Sequence, residues 1–310
     1  MTNNQKTLNS SIEFTGVGLH TGKDVHMVIE PAKINHGVKF QRIDLENQPI
    51  LPADINLVTD TQRSTTLEKD NVKIVTVEHL MSALYALGVN NVLIKMDSSE
   101  VPILDGSAKC FVEEIQKVGL KVQDAPLKYI DLPNPINYTD PDSGSEILFI
   151  PANNFIISVV LDYQNITLGT QYAEMRDLKE YSTEIAPCKT FVFLTELEKL
   201  SKANLIKGGG LENAIVVVDK EDTKPSEIKK LPYLLGKDVS DIQINGNVLN
   251  NCEMQFYNEP ARHKLLDVVG DLSLLGRPIK GKISAIKPGH KNNIKFAKYL
   301  KIHLFILCQL

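Results

Sequence analysis

Three prolines fall within the twelve residues DAPLKYIDLPNP, 124–135, and no other stretch constrains the fold as much. Proline cannot donate a backbone hydrogen bond, and it pushes the residue before it into extended backbone. No long helix or central strand runs through such a segment. The expected organisation is therefore two units, residues 1–127 and 128–310. At 310 residues the chain is long enough to give each unit its own core.

Both sides mix strands with helices. Ile12 and Phe14, then Val25, Met27 and Ile29, alternate around GVGLHTG and predict two strands joined by a glycine-rich turn. In VKIVTVEHLMSALYALGV, 72–89, a strand gives way to a helix over 76–87. Thr76 is its expected N-cap, Gly88 its stop, and Leu80, Met81, Leu84 and Leu87 its buried stripe. The strand NNVLIKM follows, then a helix AKCFVEEIQKVG capped by Ser107, with Cys110, Phe111 and Ile115 facing inward. Beyond the prolines come strands near 146–150 and 155–162 and a strand–helix–strand unit from FVFLTELEKLSKAN to NAIVVV. The helix EPARHKLLDVVGDL and a strand in KGKISAIKPGH complete this half. The order lacks a strict βαβ rhythm, so the expected class is α+β, with two sandwich-like domains.

A formal net charge of −4, no basic block and no tryptophan argue against a nucleic-acid surface. No apolar run reaches the ~18 residues of a membrane span. The polar start MTNNQKTLNS lacks a secretory core. Cys110, Cys188, Cys252 and Cys308 form no C-x-x-C pair, so neither a disulfide framework nor a cysteine-based metal site is expected. The expectation is a protein of a reducing cytoplasm. The end, IHLFILCQL at 302–310, is apolar and uncapped. It reads as a buried final strand, or as a point where the chain normally continues.

Chemistry concentrates in EPARHKLLDVVGDL, 259–272. At about 100° per residue, His263, Asp267 and Asp271 lie within roughly 80° of one another, away from Leu265, Leu266, Val268, Val269 and Leu272. Side chains at i and i+4 have Cβ atoms about 5–6 Å apart and can grip one ion. Taken alone, this is as readily a solvated helix face. Glu78 and His79, off the leucine stripe of the other helix, are by themselves an ordinary pair at a helix start. His79 together with His263 and Asp267 gives two histidines and a carboxylate. Catalytic zinc sites use three such ligands and leave the fourth position open. Iron(II) is the permitted rival. A non-ligating Glu78 beside His79 can take a proton from water that a metal activates. His290, on an expected Pro-Gly turn, is either a polar loop residue or a displayed acid/base, with Asp271 the candidate that orients it. Thr190, between a proline-containing loop and the FVF strand, carries no signal of its own.

GVGLHTG, VEHLMSAL, VPILDGSA (101–108), KTF (189–191), GGGLENAIV (208–216), RHKLLDVVGDL (262–272) and GH (289–290) occur in order across nearly the whole chain. Together they resemble the UDP-3-O-acyl-N-acetylglucosamine deacetylases, zinc amidases that commit flux to lipid A in Gram-negative bacteria. The resemblance implies two α+β domains of similar two-layer sandwich topology with the active site between them. It implies one Zn2+ per chain on His79, His263 and Asp267, with Glu78 as the base. Thr190 would help hold the oxyanion. His290, backed by Asp271, would protonate the leaving amine, and Lys264 would supply positive charge. Phe191, Leu19, His20, Gly209 and Gly210 become substrate contacts, and an apolar passage for the acyl chain is expected around 190–218. The deacetylase part alone is expected to be a monomer. Two features depart from the family. Lys189 stands where Arg is usual, and the chain stops in IHLFILCQL. Some members continue there into a 3-hydroxyacyl-carrier-protein dehydratase domain, so the chain resembles a truncated or frameshifted relative of such a fusion. The alternative is an inactive sugar-nucleotide- or lipid-binding relative. Such a protein should have lost part of the set, and here all three ligands, Glu78, Thr190 and His290 are present.

Overall fold

Alternating burial along Ile12–Val17 and Asp24–Pro31 pairs these strands antiparallel, with Ile12, Phe14, Val25, Met27 and Ile29 facing the core. The computed structural model describes residues 4–163, 168–203, 205–219, 244–245, 247–249 and 254–307. The first sheet runs in the spatial order Ile12–Val17, Asp24–Pro31, Val92–Met96, Val38–Arg42, Ile50–Pro52. The second runs Ile136–Asp140, Ser145–Ile150, Ile279–Ile286, Phe155–Asp162, Thr170–Met175. Numbered within each sheet, both orders are 1-2-5-3-4. Along both of these orders strands 3 and 5 are parallel and the other pairs antiparallel, and in the second sheet the short strand Ile130–Asp131 also pairs parallel with Ile279–Ile286. The fold is therefore α+β with two domains of similar topology, although the sequence shows no internal repeat.

Helices α1 (Glu78–Ala86) and α2 (Lys109–Val118) belong with the first sheet. Helix α3 (Leu194–Lys202) joins the parallel strands Phe191–Phe193 and Ile215–Val217, the strand–helix–strand unit expected from the sequence. Helices α4 (Glu259–Ser273) and α5 (His290–Leu307) are the long helices of the second half among the described residues. One apolar cluster runs from Met27 and Ile94 through Leu80 and Leu84 of α1 and Leu265 and Val269 of α4 to Ile157 and Ile283. Helices α1 and α4 cross at Gly270, where an added Cβ would run into the carbonyl oxygen of Glu78. Only glycine permits that approach, and the approach sets one helix's polar residues against the other's. Gly270→Ala should destabilise the fold by about 1–3 kcal/mol, the usual cost of overpacking. An unchanged urea midpoint would show that the crossing tolerates a methyl group.

Four local expectations are corrected. Helix α1 starts at Glu78, and Thr76 is not its N-cap. Thr76 sits at φ 58 and donates its hydroxyl to Glu100 Oε1 at 2.8 Å, because a fully buried carboxylate demands donors. His290 opens α5 instead of sitting on a turn. The tail through Leu307 is helical and not a buried strand, since Phe296 and Leu300 anchor a helix that simply propagates. Its Ile302, Phe305 and Ile306 are 56%, 64% and 52% exposed, and 308–310 lie outside the described residues. The N-cap of α2 is Ala108 and not Ser107, although the Ser107 hydroxyl oxygen accepts from the Lys109 N–H at 3.0 Å. Cys110 and Cys188 are free thiols, while Cys252 and Cys308 fall outside the described residues. Among the described residues no helix is long and apolar enough to cross a membrane.

Candidate metal and proton-transfer site

The crossing at Gly270 lays the first turn of α1 over the middle of α4. Glu78 and His79 thereby meet His263, Lys264, Asp267 and Asp271. All of these except Lys264 are at most 5% exposed, so the polar face of α4 is not solvated. One ligand atom each from His79, His263 and Asp267 lies within 4.8 Å of the others. The His79 and His263 rings meet edge to face at 5.1 Å. The Cys188 carbonyl lies 3.1 Å from His263 Nδ1, which leaves Nε2 facing Asp267 Oδ1 at 3.4 Å. His79 Nδ1 and Asp267 Oδ1 are buried with no hydrogen-bond partner. Orphaned buried polar atoms converging in a His2Asp set fit a bound cation, since two imidazoles and a carboxylate are metal-ligating groups.

The electrostatics suit the same ion. Burial, then the neighbouring His263, lowers His79 to about 3, and burial also lowers His263. Both rings are thus neutral near pH 7 and offer a lone pair. Burial opposes ionisation of Asp267, but the Lys264 ammonium at 2.8 Å, then His263, outweigh it and hold the carboxyl well below the usual carboxylate range. Burial likewise disfavours the charge on Lys264, yet Asp267 raises its pKa on balance.

Beside the cluster stand two proton carriers with opposite tendencies. Burial pushes Glu78 up to about 7, and its Oε2 accepts from the Thr65 N–H at 3.0 Å. Burial opposes protonation of His290, but Asp271 and then Asp267 win and raise it to about 9. His290 Nδ1 contacts Asp271 Oδ2 at 2.9 Å, and its Nε2 lies 3.9 Å from Glu78 Oε1. Between these two values Glu78 is ionised and His290 is protonated, which is the pairing acid–base work requires.

A cavity of about 440 Å³ reaches this cluster at Lys264 and His290. Thr190, Lys264 and His290 belong to its polar lining, and Val192, Leu197, Leu200, Ile206, Leu211 and Val216 to its apolar lining. Leu19, His20, Phe191, Gly209 and Gly210 also line it. The Lys264 ammonium sits 5.6 Å from the Phe191 ring centre. The Leu19 and His20 carbonyls accept from the Gly208 and Lys207 N–H groups at 3.0 and 3.4 Å, so the GVGLHTG turn is tied to the strand–helix–strand unit.

The family described as LpxC: UDP-3-O-acyl N-acetylglycosamine deacetylase matches residues 5–231 and 236–301. The chain belongs to this family. It is 45% identical over 297 residues to the bifunctional enzyme LpxC/FabZ of Bacteroides thetaiotaomicron, covering 96% of this chain and 64% of that one. The corresponding protein of Chlorobaculum tepidum is 42% identical over 299 residues, with coverages of 96% and 64%. A UDP-3-O-acyl-N-acetylglucosamine deacetylase of Myxococcus xanthus is 37% identical over 297 residues, with coverages of 95% and 85%. The chain thus spans 64% of the length of the bifunctional relatives it matches.

Several residues at this candidate site escape sequence reading. Thr65 touches Asp271 and His290, 206 and 225 positions away, and nothing local marks it. Asn293 donates to Asp271 Oδ2 at 2.8 Å. Glu100 organises the 18–21 turn by accepting from the His20 and Thr21 N–H groups at 2.9 and 2.8 Å. Arg63, Lys287 and Lys291 line the cavity. The polar run KPGHKNN hinted at the last two of these, but Arg63 and Glu100 look like ordinary surface charges. Lys189, the departure from the family's usual Arg, donates Nζ to the Glu212 carbonyl at 2.8 Å and takes no part in the metal cluster.

Proposed function

We propose that the chain hydrolyses the N-acetyl group of UDP-3-O-(3-hydroxyacyl)-N-acetylglucosamine to the free amine and acetate, the committed step of lipid A biosynthesis, in the cytoplasm. The observation that carries this reading is the arrangement of a neutral-histidine His2Asp cluster and a Glu78/His290 pair beside a cavity that His290 and Lys264 line together with a set of apolar side chains. In this reading residues 1–127 supply Glu78 and His79, and residues 128–310 supply the remainder, as a monomer. The chain corresponds to the LpxC part of the bifunctional relatives.

His79, His263 and Asp267 would hold one Zn2+, which when bound would supply Lewis acidity, lowering the pKa of water from 15.7 toward about 7 and polarising an amide carbonyl. Glu78 takes the proton of the attacking water as the new C–O bond forms. The Thr190 hydroxyl donates to the oxygen on which negative charge develops, a contact of the kind worth ~2.7–4 kcal/mol. Lys264 adds positive charge in the same cavity. The Nε2 proton of His290 passes to the nitrogen as the C–N bond breaks, while Asp271 holds Nδ1. Phe191, Leu19, His20, Gly209 and Gly210 contact the substrate, and the wall built by the strand–helix–strand unit takes the acyl chain.

The test is acetate release from the UDP-sugar, lost on chelation and restored by zinc. Folded, zinc-loaded protein that releases none rules the reading out. The pH profile adds a second check. A base must be deprotonated, so kcat/KM rises as Glu78 loses its proton, at or below about 7 once a cation is bound. An acid must be protonated, so it falls as pH climbs through about 9 and His290 is discharged. A profile without a basic limb would remove His290 from the acid role.

A further inference from the structure

We propose that Thr65 is a positioning residue that ties the acid and the base of this site to one framework, an inference that rests on the function proposed above. Thr65 is fully buried and is not part of the cavity lining. Its N–H donates to Glu78 Oε2 at 3.0 Å, and its carbonyl accepts from the Val77 N–H at 3.4 Å, directly before α1. Its backbone is therefore fixed to the turn that presents Glu78. Its hydroxyl reaches the other way, donating to Asp271 Oδ1 at 2.5 Å, and the same oxygen stands 3.2 Å from His290 Nδ1.

The chemistry of Asp271 gives the hydroxyl its role. Oδ2 accepts from Asn293 Nδ2 at 2.8 Å and faces His290 Nδ1 at 2.9 Å. Oδ1 is held by Thr65. With donors on both oxygens the carboxylate plane is fixed, so one lone pair of Oδ2 points along the His290 Nδ1–H direction. The imidazole is then held with Nε2 toward Glu78 and Asp267. Removing the hydroxyl strips Oδ1 of its donor inside a buried site. The carboxylate must then rotate to find another, and His290 loses its alignment. The Thr65 N–H to Glu78 survives any substitution other than proline, so a hydroxyl deletion acts on the acid side alone.

Thr65→Val keeps the shape and the N–H but removes the hydroxyl, and Thr65→Ser keeps the hydroxyl. In the zinc-loaded full chain, Thr65→Val should lower kcat by roughly 10–100-fold, as loss of an outer-shell partner commonly does, with KM unchanged because Thr65 does not line the cavity. In NMR spectra of protein carrying 15N-labelled histidine, the slowly exchanging Nδ1–H of His290, assigned through its loss in His290→Gln, should vanish in Thr65→Val and persist in Thr65→Ser. If the valine variant does not fold, Thr65→Ala carries the same expectation. The proposal is overturned if the hydroxyl-free variant keeps both its kcat and the protected proton, or if Thr65→Ser is impaired as much as Thr65→Val. Wild-type protein that shows the protected proton, loses it in Thr65→Val, yet releases no acetate would sustain the positioning role and defeat the assigned reaction.

Discussion

Glu78→Gln should lower turnover by at least the ~10²–10⁴-fold of a lost general base, while zinc content and substrate affinity stay at wild-type levels. Glutamine fills the same volume and still accepts from the Thr65 N–H, which now lies 3.0 Å from Oε2. It cannot take a proton. Glu78 is also not among the three residues whose ligand atoms converge, so the ion has no reason to leave. The metal-free protein offers a companion measurement. The folded pKa of Glu78 is raised from 4.5 to about 7, so burial favours the neutral form. Its stabilising effect is fully present below 4.5 and is lost as pH rises through about 7. Glutamine mimics the neutral form at every pH, so apo Glu78→Gln should resist urea better than apo wild type at pH 8. Zinc stoichiometry, equilibrium binding and single-turnover rates decide the matter. A variant that loses its zinc, or keeps its rate, would strip Glu78 of the base role.

His79→Ala should behave in the opposite way although it alters the adjacent residue. Only His263 and Asp267 remain as donors, and zinc affinity should fall by more than the ~10–100-fold that outer-shell changes cost. Activity should drop to the level of chelator-treated wild type and recover in part at high zinc. Because burial holds the His79 ring neutral, with its pKa lowered to about 3, zinc does not have to displace a proton from it near pH 7. Zinc binding to apo wild type should therefore depend little on pH between 6 and 8 as far as this ligand is concerned, which calorimetry in two buffers can measure. A His79→Ala protein that retains one tightly held zinc per chain would remove His79 from the ligand set.

The contrast between these two neighbours shows where sequence stops being informative. Local spacing found the strands of the first hairpin, because Ile12, Phe14, Val25, Met27 and Ile29 alternate and alternation in a strand means one buried face. The 100° step grouped His263, Asp267 and Asp271 on one face of α4, and the ordered motifs identified the family that the whole-chain match shows. No local pattern could say whether that polar face met water or protein. A helix wheel fixes direction about one axis and nothing beyond it. Burial required α1, about 180 positions upstream, to cross at Gly270, and glycine's missing Cβ is a property of the crossing, not of α4 itself. The same limit explains Thr76, bent to φ 58 to satisfy Glu100, and Thr65, whose partners lie 206 and 225 residues away. The sequence by itself determined which residues share a face. The tertiary structure alone decided which faces meet, because desolvation and hydrogen bonding act between atoms close in space, whatever their separation along the chain.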